Sequence, residues 1–87
     1  MGIEPSIWGP YVWASLHLIA YGSKESFSHE ELEKYRMFVH SLAGVIPCDT
    51  CSFHFSETLK QHPLHDRILS RDDFFKWTVD AHNIVNE

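Results

Sequence analysis

The sequence predicts an all-α fold, a four-helix bundle with short connections, on three observations. Four segments carry apolar residues at helical spacing, each is bounded by start or stop chemistry, and none alternates as a strand would. A chain of 87 residues supports a single domain, 1–87, with one modest core, so a cofactor or partner subunit is an expected source of further stability.

The first helix is expected to open near Gly9-Pro10, because proline suits the first helical position, and to stop at Gly22. Trp13, Leu16, His17 and Ala20 share one face, which sets an imidazole among core residues. The second helix should start at Ser28, whose hydroxyl caps it while Glu31 reaches back in a capping box, and should end at Gly44. Leu32, Tyr35, Val39 and Leu42 form its apolar stripe. The third begins at Pro47 or Cys48 and runs to about His62, with Cys48, Cys51, Phe55 and Leu59 aligned. The polar segment "HPLHDRILSR" leads to a fourth helix from Ser70, capped in the same manner with Asp73, whose Phe74, Trp77, Thr78 and Ala81 face inward. Connections this short favour antiparallel neighbours.

Composition narrows the function. Apolar residues are 44% and aromatic residues 14%, enough rings to suggest that something flat is packed. The net charge of -5, with seven Lys and Arg scattered along the chain, provides no basic face, so nucleic acid is not an expected partner. No apolar run reaches bilayer length and "MGIEPSIWGP" lacks the basic start and apolar centre of a signal peptide, so a soluble chain without a transmembrane segment is expected. Gly2 and Ser6 fit the loose pattern for N-myristoylation, but without a basic cluster an ordinary start is the better reading.

Both cysteines lie in "IPCDTCSFHF". A bridge across two residues restricts the unfolded chain little, so a structural clip is a weak explanation. Cys48, Cys51 and His54 could supply three zinc ligands, with His62 and His65 as spare candidates, but a closed site needs a fourth and no second pair has finger-like spacing. Close spacing at a helix start favours thiolate and rapid resolution of a mixed disulfide, which puts redox chemistry ahead of metal. A small zinc-stabilised or non-catalytic helical interaction module remains the alternative. A helical dithiol needs an electron acceptor, and flavin is the cofactor that couples thiols to O2. Two ring-rich clusters could hold one, "WGPYVWASLH" and "FFKWTVDAHNIVN"; in the second, His82, Asn83 and Asn86 form a polar cluster that needs partners if buried.

Taken together, these motifs resemble the Erv/ALR family of FAD-dependent sulfhydryl oxidases. "WGPYVWASLH" is similar to the family's W-G-x-x-x-W-x-x-L-H opening, "PCDTC" to its active dithiol, and "KWTVDAHNIVN" to its W-x-x-x-x-H-N-x-V-N close, in register over almost the whole chain. The minimal size looks most like viral members, which would place the protein in host cytoplasm or virion. The resemblance implies an enzyme that forms disulfides in substrate thiols and passes electrons through the cysteine pair and FAD to O2, giving H2O2, with no metal. By the same resemblance Gly9, Trp13 and His17 would contact FAD from the first helix, and Trp77, His82, Asn83, Val85 and Asn86 from the fourth, with His54 similar to a residue found after the dithiol in some members. Cys51 would lie against the flavin, and the more exposed Cys48 would exchange with substrate.

Family members commonly carry a second, shuttling cysteine pair, whereas this chain has two cysteines in all. It is expected either to oxidise a thiol-containing protein directly, such as a thioredoxin-like partner, or to rely on sequence not included here. Asn86-Glu87 stops within a helical pattern, which suggests a truncated domain of reduced FAD affinity. The homodimer that the resemblance implies would rest on packing alone, with Tyr11 and Phe38 as candidates.

Overall fold

The structure, a computed structural model, describes residues 2–86 and contains four helices there: α1 Pro5–Tyr21, α2 His29–Val45, α3 Asp49–Gln61 and α4 Arg71–Val85. The expected four-helix architecture is present, with boundaries displaced for identifiable reasons. Helix α1 opens a turn before the expected Gly9-Pro10, with Pro5 taking the first position and Pro10 accommodated inside the helix. At its other end Gly22 donates its N–H to Leu18 O at 2.9 Å, as the expected stop requires.

Helix α2 starts as expected. Ser28 Oγ accepts from Glu31 N–H at 3.1 Å, and the Glu31 carboxylate accepts from Ser28 N–H at 3.0 Å. It does not end at Gly44 but runs through to Val45. The stop is Pro47, since the residue before a proline is driven out of the helical region and Ile46 is extended at φ -57° and ψ 130°. Cys48 is also extended, so α3 begins one residue later than the latest expected start, with Cys48 as its cap. At α4, Ser70 Oγ accepts from Asp73 N–H at 3.1 Å, one half of the expected box. The aspartate side chain is one methylene shorter than the glutamate that closes the box at Ser28.

The helices run up and down, α1 packed on α4, α2 on α3, and α3 on α4. Leu16 and Ala20 meet Leu32, Val39, Ala43, Phe55, Leu59, Phe74, Trp77 and Ala81 in one core, closed below by Phe27, Leu64 and Ile68 from the connections. Each large apolar side chain buried there contributes about 1.5–3 kcal/mol. Two short antiparallel pairings fasten opposite ends of the bundle. Ser26 pairs with Ser70 between the two lower connections, supported by Phe27 N–H to Leu69 O at 2.9 Å and Arg71 Nε–H to Ser23 O at 2.8 Å. Gly2 pairs with Cys48 at the upper end, where Ile3 N–H donates to Pro47 O at 2.6 Å.

Candidate active site

The upper end holds the dithiol. Cys48 and Cys51 are joined as a disulfide, their Cα atoms 5.3 Å apart. Extended geometry at Cys48 turns its sulfur back over the helix start, where Sγ accepts from Cys51 N–H at 3.3 Å. Cys51 is the third residue of α3, within the first turn, where unsatisfied N–H groups and the helix dipole favour negative charge. Both cysteines are half-buried, and burial at that level does not set them apart. Their surroundings do. Cys48 borders an outer groove of about 300 Å³ with Gly2, Ile3, Glu4, Pro5, Asp49 and Thr50. Cys51 borders a cleft of about 530 Å³ on the other side.

That cleft is walled by Pro5, Ser6, Trp8, Gly9, Pro10 and Trp13 of α1, by Cys51 and His54 of α3, and by His82, Val85 and Asn86 at the end of α4. Trp13 lies parallel to the His82 ring, centroids 4.3 Å apart and planes 9° apart, and meets Phe55 edge-on at 5.8 Å. Behind His82 sits His17, its Nε2 3.3 Å from His82 Nδ1 and its Nδ1 2.9 Å from Thr78 Oγ1. Burial, followed by the charge His82 carries when protonated, lowers the pKa of His17 from its ordinary value and so favours the neutral ring. At Gly9 no atom lies within 4 Å of where a Cβ would stand. Glycine in a helix interior costs roughly 0.5–1 kcal/mol relative to alanine, so packing within the chain gives no reason for it.

Of the residues expected at the site, the structure brings Gly9, Trp13, Cys51, His54, His82, Val85 and Asn86 to one cleft and puts His17 directly behind it. Trp77 and Asn83 are not in its wall. On a helix of 3.6 residues per turn they lie about 140° and about 100° around α4 from His82. Trp77 is instead 2% exposed, its indole N–H donating to His62 O at 3.0 Å and its ring parallel to that of His62. Sequence analysis missed Pro5 and Ser6 as cleft residues because it began α1 too late, and it did not single out Trp8 and Pro10 although both lie in the ring-rich stretch it offered as a flavin holder. It also took Thr78 for core alone, although Thr78 stands one turn before His82 on the same face, a spacing that could have linked them.

Fold and site together define a helical protein whose single disulfide lies between an outer groove and an aromatic cleft. Comparison with known proteins supplies the family. The Erv1/Alr family model matches residues 10–87. The chain is 36% identical over 85 residues to a probable FAD-linked sulfhydryl oxidase of Acanthamoeba polyphaga mimivirus, covering 97% of this chain and 59% of that protein. It is 33% identical over 89 residues to a putative FAD-linked sulfhydryl oxidase of Invertebrate iridescent virus 6, covering 97% and 80%. A similar putative oxidase of Invertebrate iridescent virus 3 is 29% identical over 86 residues, covering 99% and 58%. The chain thus belongs to the Erv1/Alr family. It spans somewhat under three fifths of the length of the mimivirus and Invertebrate iridescent virus 3 relatives.

Proposed function

We propose that the chain is a FAD-dependent sulfhydryl oxidase that converts protein thiols to disulfides. The observation that carries this reading is the division of one disulfide between two spaces, Cys48 toward the outer groove and Cys51 toward the aromatic cleft. A cleft with a largely apolar, aromatic wall and a few polar groups is the usual form of a cofactor site. Gly9 supports the fit, because a side chain there would fill space that a flat ligand needs.

A substrate thiolate attacks Cys48 Sγ, the Cys48–Cys51 bond breaks, and Cys51 leaves with the electron pair as a thiolate in the first turn of α3. A second substrate thiolate attacks the substrate sulfur of the mixed disulfide and releases Cys48, whose charge is met by Cys51 N–H. Two substrate thiols thereby give up two electrons to the pair and leave as a disulfide. FAD, when bound in the cleft, would supply the two-electron acceptor between the reduced cysteine pair and O2, with H2O2 as the product. Gly9, Trp13, His54, His82, Val85 and Asn86 would hold it, with His17 supporting His82.

We take the substrate to be a protein dithiol, such as that of a small thioredoxin-like partner, that enters the outer groove bordered by Cys48. We further propose a homodimer across the face between α1 and α2. Helix α1 is apolar on more than its core side, with Ile7, Tyr11, Leu18 and Tyr21 exposed. An apolar groove of about 250 Å³ there is lined by Tyr11, Val12, Ser15, Leu16, Phe38 and Leu42. Sedimentation equilibrium should return twice the chain mass; a monomer at micromolar concentration would refute the dimer.

The oxidase reading is tested by the absorption spectrum of the protein with FAD, before and after excess dithiol in air. A flavin band that bleaches and recovers as H2O2 accumulates is expected. Protein that binds FAD but never bleaches, or that binds none, overturns the proposal.

A further inference from the structure

Hydrogens on the cleft histidines follow from a single buried hydroxyl. Thr78 is fully buried, and its Oγ1 donates to Phe75 O at 2.6 Å, which commits its only proton. Toward His17 Nδ1, 2.9 Å away, Thr78 can therefore only accept, so His17 carries its proton on Nδ1. In its neutral form, which burial favours, His17 then keeps a lone pair on Nε2. The partner of that lone pair, 3.3 Å away, is His82 Nδ1, which must then be the protonated nitrogen of His82. The hydrogen bond of the His82 ring to the described residues is made through Nδ1, which leaves Nε2 open on a ring that forms part of the cleft wall. Stacking on Trp13 fixes the plane of that ring, while the bond to His17 fixes its rotation and tautomer.

We propose that Thr78 is a positioning residue that, acting through His17, sets His82 Nε2 as a hydrogen-bond acceptor for a hydroxyl or N–H group of the bound cofactor. The chain runs from His82 Nδ1–H to His17 Nε2, from His17 Nδ1–H to Thr78 Oγ1, and from the Thr78 hydroxyl to Phe75 O. Reversing any link would turn His82 Nε2 from acceptor to donor in its neutral form. The ligand end of the proposal rests on the assignment of the cleft to FAD, whereas the tautomers are properties of the protein alone.

The test uses ring-15N-histidine protein free of flavin, near pH 8, and long-range 1H–15N correlation spectra. His17 and His82 should both appear as the Nδ1–H tautomer. Either ring found chiefly as Nε2–H overturns the relay, with no variant required. In Thr78→Val, which keeps the shape and removes the hydroxyl, the Nδ1–H preference of both rings should weaken. FAD affinity, read by titration rather than turnover, should fall about 3- to 10-fold, the worth of one hydrogen bond. Thr78→Ser should restore tautomers and affinity together. Unchanged tautomers and affinity in Thr78→Val overturn the proposal, as does a Thr78→Ser variant that folds but restores neither. Wild-type protein with the expected tautomers that refuses FAD overturns the cofactor assignment and the ligand end of the proposal, and upholds the relay.

Discussion

Cys48 and Cys51 are three residues apart and share one bond, yet they occupy different kinds of structure. Cys48 is extended, at φ -163° and ψ 112°, paired along its main chain with Gly2 and bordered by an outer groove. Cys51 is helical and opens onto a cleft walled by three helices. The boundary between them is the start of α3, where the backbone leaves the extended region for the helical one. A disulfide across that boundary can accept a substrate on one side and face an electron acceptor on the other without either blocking its neighbour. The two sides also differ in what fixes them. The Cys48 side depends on one short backbone pairing, while the Cys51 side depends on packed rings.

The sharpest test of this asymmetry removes one sulfur at a time. Cys48→Ser and Cys51→Ser should each reduce thiol oxidation to background, because either leaves no disulfide to exchange. They should diverge in alkylation: saturating FAD should slow modification of Cys51 in Cys48→Ser and leave Cys48 in Cys51→Ser unaffected. Equal protection of both sulfurs would erase the distinction between groove and cleft.

On the cleft side alone, Gly9→Leu should weaken FAD binding by roughly 10- to 100-fold, the effect of overfilling a shaped cavity. Gly9→Ala should raise the melting temperature of the flavin-free protein, since about 0.5–1 kcal/mol of helix propensity is recovered in open space. A melting temperature that falls would show that Gly9 serves internal packing instead. On the groove side, Gly2→Ala puts a Cβ 2.7 Å from Cys48 Cα and from Pro47 O, a clash with backbone. The Gly2–Cys48 pairing should open, at a cost of about 1 kcal/mol, with faster hydrogen exchange at Ile3 and altered exchange of Cys48 with small thiols. FAD affinity should change little; a large loss would tie the two sides together.

The smallest effect expected is in acid. His17 titrates below its usual 6.5 in the folded chain, so the unfolded chain takes up the proton more readily. Its contribution to stability is fully present above about pH 6.5 and is lost as pH falls through that value toward the lowered folded one. Melting temperatures across this range should show a shallower acid slope in His17→Gln than in wild type.

Much of this was legible in the residues. Helical spacing, the Ser28 and Ser70 caps and the absence of alternation gave four helices, because these signals act within one or two turns of chain. The stop of α2 was misassigned to Gly44, although Pro47 was in view, because glycine and proline both signal an ending and only the backbone angles show which one acts. The start of α1 was set late for a similar reason, as Pro5 and Pro10 are both acceptable first-turn residues. The cysteine spacing indicated exchange chemistry, but spacing does not say which sulfur faces which space.

By itself, then, the sequence determined the helical class through local periodicity, the close pairing of the two cysteines through their spacing, and most of the residues that meet in the cleft through its resemblance to the Erv/ALR family. Tertiary structure alone decided the partition of the disulfide, the displacement of Trp77 and Asn83 from the cleft wall, and the line from Thr78 through His17 to His82. His17 and Thr78 stand 61 positions apart, and only the packing of α1 on α4 brings them to hydrogen-bond distance. A hydrogen bond depends on distance and direction in space, and separation along the chain specifies neither.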